Sequence, residues 1–134
     1  MISIPSKVFG NFEVDKSKKV HFNNGIPGLE SVKEYVFVAF EEYKPISWMI
    51  STTGEYHFPV AILNLIDPED LDEVSREEFL PELRKKLDNN PDLLCYVIIK
   101  LDESVSNVNL KAPIIVDSKK RTGQQLMLEP SKRG

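Results

Sequence analysis

Short apolar stretches closed by clusters of Gly, Asn, Asp or Ser recur along this chain, and that rhythm restricts its fold more than any other feature. The stretches predict strands near 2–8, 12–15, 19–22, 35–40, 46–51, 58–66, 93–101, 107–112, 113–117 and 124–128. Between them lie "FGN", "DKSKK", "NNGIPG", "STTGE" and "SKKRTG", where Gly, Asn and Pro supply the backbone angles of tight turns. There is no internal repeat. Many short strands on short connections favour a mainly antiparallel sandwich or barrel.

One region breaks the two-residue period. In "DPEDLDEVSREEFLPELRKKLDNNP", Asp67-Pro68 has the form of an N-cap followed by proline in the first helical position. Ser75 with Glu78 three residues on reads as a capping box, and Leu80, Leu83 and Leu87 make one apolar stripe. A proline inside a helix removes a donor and crowds the preceding turn, so the pattern predicts two short helical pieces, the second starting near Pro81.

Strand parity assigns faces. In "VNLKA", Val108, Leu110 and Ala112 point one way, and Asn107, Asn109 and Lys111 the other, as in a half-buried strand. "LLCYVIIKL" is apolar on both faces: Leu93, Cys95, Val97, Ile99 and Leu101 on one, Leu94, Tyr96 and Ile98 on the other. "YVFVAF" (35–40) is also two-sided. Such strands need a second covering, either the Leu80–Leu83–Leu87 stripe or a partner.

At 134 residues, 41% apolar and 28% charged, the chain has the size and mixture of one globular domain. It shows no basic-then-apolar leader and no apolar run long enough to cross a bilayer, which predicts a soluble cytoplasmic protein. The single cysteine, Cys95, forms neither an internal disulfide nor a cysteine metal cage. Neither His21 nor His57 has a His or Cys partner at metal-ligand spacing. A site built from His57, Glu55 and Cys95 would need the fold to assemble it. The "NNGIPGLE" loop has no Lys-Ser or Lys-Thr after its glycines, so it reads as a tight turn rather than a phosphate cradle. No cofactor, metal or catalytic residue is expected.

The charged features are more telling. Between Asp67 and Glu82 lie eight carboxylates against Arg76 alone. Acids near a helix start meet its positive end, and a surplus makes a surface that attracts a basic partner and repels phosphate. The hairpin "NLKAPIIVDSKKRTGQQLML" carries Lys119, Lys120 and Arg121 at its tip. That tip suggests an alternative, a small β-barrel RNA-binding domain. Its footprint is small, however, no aromatic residue interleaves with it, and the chain's formal charge is −4.

"KVFGNFEV" (7–14), "VHFNNGIPGLE" (20–30), "SWMIS", "PVAILNLIDP" (59–68) and the closing "NLKAPIIVDSKKRTGQQLML" stand in an order and spacing that resemble the flagellar assembly factor FliW family. The resemblance covers roughly residues 2 to 130, giving a domain over 1–130 and a tail over 131–134. It implies a mainly β, single-domain antiparallel β-barrel-like fold with one short helical insertion at about residues 68–88. It also implies a non-catalytic regulator, with Gly25, Pro27, Gly28, Asn109, Ala112, Pro113 and Gly123 as structural motif positions. Members of the family bind flagellin and, when released from it, bind CsrA and allosterically lift its repression of flagellin messenger RNA. The implied partners are therefore flagellin and CsrA, with no membrane and no direct nucleic-acid contact, and the protein is expected to be a monomer. For CsrA the expected contact is the acidic face, Asp70, Glu73, Glu77 and Glu78; for flagellin it is the apolar face Leu94, Tyr96 and Ile98.

Overall fold

Residues that alternate in the sequence alternate across one closed sheet. The computed structural model of the chain describes residues 1–100 and 108–131. After an N-terminal hairpin, β1 (Ile2–Ser6) and β2 (Gly10–Val14), come seven further strands: β3 (Val20–His21), β4 (Glu34–Val38), β5 (Ser47–Ser51), β6 (His57–Ile62), β7 (Leu93–Ile98), β8 (Ile114–Asp117) and β9 (Thr122–Gln125). These seven pair in chain order, antiparallel throughout, and β9 closes the barrel on β3 by a parallel bridge between His21 and Thr122. Mainly β, barrel and one short helix: the expected fold class is the observed one.

The two-sided apolarity of the strands now has its cause. One parity fills the barrel with Val20, Phe22, Tyr35, Met49, Val60, Tyr96, Ile114 and Val116. The other parity is covered twice from outside. The β1–β2 hairpin lays Ile4, Phe9 and Phe12 over Val36, Trp48 and Ile50 of β4 and β5. A helix lays Phe79, Leu80 and Leu83 over Cys95, Val97 and Ile115 of β7 and β8. Both coverings belong to the chain itself.

The helix departs from expectation at its start. Pro81 does not divide it. A π turn, Ser75–Phe79, runs directly into α1, Leu80–Asp88. The Leu80 N–H reaches back five residues to the Ser75 carbonyl. This wider turn accommodates a ring that has no N–H to donate and would crowd a regular one. Ser75 is not the cap either. Asp72 Oδ1 accepts the Ser75 N–H at 2.8 Å, so the cap lies three residues earlier. The Asp67-Pro68 signal was sound but local: it starts a single 3-10 turn, Pro68–Asp70, with Asp67 accepting from the Glu69 N–H.

Two strand expectations also change. The run 58–66 stops pairing at Ile62 and turns through Leu63–Leu65. The expected strand 107–112 is not one over its described residues. Val108 exchanges backbone bonds with Asp70 and Asp72, and the Leu110 N–H goes to Ser75 Oγ. Asn109 Oδ1 takes the Lys111 N–H, and Pro113 has no N–H to give a ladder. Burial still alternates as predicted, with Leu110 inside and Asn109 and Lys111 exposed. Residues 101 and 107, the ends of two expected strands, lie outside the described residues.

Candidate functional site

The acidic segment begins where β6 gives way to short turns, and its carboxylates have divided roles. Asp67 and Asp72 cap helical turns, which spends them on backbone donors. Glu78, half-buried, accepts both the N–H and the hydroxyl of Ser131, tying the segment after β9 to the helix start. Asp70 is half-buried beside the Val108 bridge. Glu69, Glu73, Glu77 and Glu82 are exposed. The ion pairs of the described residues, Lys19–Glu34 and Lys44–Glu41, lie elsewhere. Of the four predicted acidic contacts, Glu73 and Glu77 therefore offer free charge to solvent. Glu73 also lines a groove of about 470 Å³, with Asp72, Val74, Phe79, Lys111 and Pro130. Its Val74 is 38% exposed. No local pattern announces it, because Val74 and Pro130 are 56 positions apart and meet only in the fold. At the far end of α1, Arg84, Lys85 and Lys86 are exposed, so the helix is acidic at its start and basic at its finish, matching its dipole.

The apolar set Leu94, Tyr96 and Ile98 does not form an open face. These residues share the parity that points into the barrel. Tyr96 is 9% exposed and stacks on Phe37 at 4.5 Å between ring centroids, and Ile98 packs on the same inner cluster. The two parities separate as expected, and the helix lying over Cys95 and Val97 makes theirs the outer one. Leu94, at the strand's outer end, is 37% exposed.

The motif glycines have clear mechanical reasons. Ile26-Pro27-Gly28-Leu29 is a tight turn closed by the Leu29 N–H to the Ile26 carbonyl at 2.7 Å, with Gly28 at φ +89°. Glu30 accepts the Gly28 N–H at 2.9 Å, and that bond, then its own backbone, holds the carboxyl below its ordinary range. A Cβ on Gly123 would lie 2.6 Å from the Phe22 ring, which is fully buried where β3 meets β9. Ala112 and Pro113 contribute carbonyls, accepting from Gln125 Nε2 and the Leu126 N–H.

The basic hairpin tip is partly consumed by the same closure. Arg121, at φ +56°, donates its guanidinium to the Lys18 and Lys19 carbonyls, while its own carbonyl accepts the His21 N–H at 2.9 Å. Lys119 and Lys120 remain exposed. Arg121 thus works as a barrel fastener, a role its place in a basic run concealed.

The groups that could do chemistry lie apart. Cys95 is buried beneath the helix, where burial pushes its thiol up to about 12. His57, at the start of β6, meets the hairpin covering, with Nε2 at 2.7 Å from Ser6 Oγ. Among the described residues no group of three His, Cys, Asp or Glu is placed to hold a metal, and no helix is long and apolar enough to cross a membrane.

Fold and surface together define a small closed-barrel protein whose distinctive exterior is an acidic helix start beside an apolar groove. The family model described as "FliW protein" matches residues 3–134. A flagellar assembly factor FliW of Caldicellulosiruptor saccharolyticus is 31% identical over 130 residues, spanning 94% of this chain and 82% of its own length. One from Clostridium botulinum is also 31% identical, spanning 94% of this chain and 89% of its own length. A crystal structure of the flagellar assembly factor FliW superposes with a TM-score of 0.65 at 26% identity, covering 94% of this chain and 88% of that one. The chain belongs to the FliW family.

Proposed function

We propose that this protein is a non-enzymatic flagellar assembly factor of the cytoplasm. It binds flagellin as a monomer and, once released, binds the translational regulator CsrA and antagonises it allosterically, relieving repression of flagellin messenger RNA. Family membership supports the role. The observation that carries the CsrA contact is the exposed charge of Glu73, which lines the Val74–Phe79–Pro130 groove, with Glu77 exposed four residues on.

Such a surface suits a basic partner with an apolar side chain to bury, since charge steers the approach and the groove supplies contact area. The same charge beside RNA on CsrA disfavours phosphate by like-charge repulsion. Asp70 and Glu78, half-buried, support the surface more than they meet a partner. For flagellin, the exposed side chain of the predicted set is Leu94, with Tyr96 and Ile98 as its buried backing.

Calorimetric titration with purified CsrA, with and without saturating flagellin, tests this reading. We expect tight binding that flagellin abolishes, and at least about tenfold weaker CsrA binding in a Glu73→Lys/Glu77→Lys variant that keeps its thermal midpoint. Wild-type CsrA affinity in that variant would remove the acidic surface from the contact, and no CsrA binding at all would retire the messenger-control role.

A further inference from the structure

The tip of the N-terminal hairpin, between β1 and β2, is organised around one hydroxyl. Ser6 Oγ accepts the Phe9 N–H at 2.9 Å and the Val8 N–H at 3.3 Å, and lies 2.7 Å from Nε2 of His57 at the start of β6. With both lone pairs engaged, the hydroxyl's own proton is left to point at Nε2. That nitrogen must then be bare. A bare Nε2 puts the neutral ring's single proton on Nδ1, on the side where the Glu55 backbone favours a donor. This donor pattern fits a neutral imidazole.

The surroundings of the ring favour the same state. Phe9 meets it edge-on at 5.7 Å from the hairpin tip, and Ile50 lies across the ladder on β5. Lys7, next to Ser6, and Glu55, two residues before the ring, are both exposed, and the charge of neither shifts the ring's titration. Burial outweighs the Glu55 backbone bond and holds the imidazole below its ordinary 6.5. A protonated ring would gain some attraction to the Phe9 π system. It would also present a third donor to Ser6 Oγ and leave the hydroxyl proton of a residue only 6% exposed with nowhere to point.

We propose that Ser6 and His57 form a pH-sensitive latch that holds the hairpin tip closed while the imidazole is neutral and releases it on protonation, lifting Phe9 from Trp48. The contacts released are those Phe9 makes with Phe40, Tyr43 and Trp48, at centroid distances of 4.7, 5.6 and 5.0 Å. Release would enlarge an apolar surface that already shows Val8 at 62% and Tyr43 at 41% exposure. The sign follows from the depressed titration. Stability of the tip is complete above the unfolded value of 6.5 and is lost as pH falls from there through the lower folded value. The latch joins the hairpin tip to the first residue of one barrel strand, so the effect is confined to one end of one covering.

The chain's one tryptophan, Trp48, reports the event directly. Emission and amide exchange are followed from about pH 7.5 to about pH 5 in the intact protein, in His57→Gln and in Ser6→Ala. In the wild type we expect a Trp48 shift with its midpoint below 6.5, and about tenfold faster exchange at Val8 and Phe9 relative to Met49 of the barrel after correction for intrinsic rates. His57→Gln, whose amide oxygen still accepts from Ser6 but cannot charge, should stay closed across the range. Ser6→Ala should show the open signal already at high pH. A flat wild-type response, or a His57→Gln profile that follows the wild type, overturns the proposal; circular dichroism confirms that each variant is folded.

Discussion

The barrel wears two coverings, and each is pinned by a buried serine, yet the two are built differently. On the helix side Ser75 is fully buried and its hydroxyl accepts one bond, from the Leu110 N–H at 2.8 Å. The leucines of α1 then close over Cys95, Val97 and Ile115. On the hairpin side Ser6 accepts two backbone donors and faces an imidazole, and flat rings, Phe9, Phe12, Phe40 and Trp48, join the aliphatic contacts. One covering depends on aliphatic packing and a neutral hydrogen bond. The other adds a titratable partner. The first should be indifferent to mild acid, and the second should answer to it.

The largest effect separating them comes from Leu83, which is 1% exposed at the centre of the helical covering. Leu83→Ala removes buried methyls and leaves a cavity, costing about 2–5 kcal/mol, enough to threaten so small a domain. Urea unfolding should show a matching fall in midpoint with an unchanged slope. A loss under about 1 kcal/mol would mean that the helix is a loose lid rather than part of the core. Next is Ser75→Ala, which strands the Leu110 N–H in a buried site at a cost of about 1–3 kcal/mol. Its effect should be the same at pH 7.5 and at mildly acid pH. Ser6→Ala costs about 1 kcal/mol, because its donors are only part-buried and regain water as the tip opens. That loss should shrink on acidification, as the wild type loses the same bond. Equal pH dependence in the two serine variants would dissolve the distinction.

The same contrast explains what could be read from sequence. The Leu80–Leu83–Leu87 stripe announced a covering because its spacing differs from that of the strands around it. The hairpin covering hid in plain alternation, since Ile4 and Phe12 look like residues of any half-buried strand. Strand parity in β7 was correct, but parity cannot say which face is inside. The π turn was illegible for a related reason: proline predicts a fault in the hydrogen-bond ladder, and only the surrounding packing decides whether the chain breaks or widens there. Of the candidate site, the acidic residues were visible as composition. Their division into caps, Asp67 and Asp72, and free charges, Glu73 and Glu77, depended on backbone donors that the sequence does not display.

The smallest predicted effect lies on the alkaline side and tests the helical covering alone. Burial raises the Cys95 thiol from the ordinary 9.0 to about 12, so the folded state keeps it protonated after the unfolded chain has begun to ionise. A raised value contributes stability that is complete below 9.0 and is lost progressively as pH climbs toward 12. By pH 9.5 the loss is about 0.8 kcal/mol. Tyr35, raised from 10.0 to about 12 by its own burial, adds to the decline at higher pH. Cys95→Ala should therefore flatten the stability profile between neutral pH and pH 9.5 while leaving the Tyr35 share above it. It should leave the Trp48 signal unchanged in mild acid, because Cys95 and Trp48 lie under different coverings. An alkaline slope that survives the substitution would place the titrating group elsewhere. A Trp48 response that moved with Cys95 would show the coverings to be coupled through the barrel wall, in place of the independence their separate apolar clusters predict.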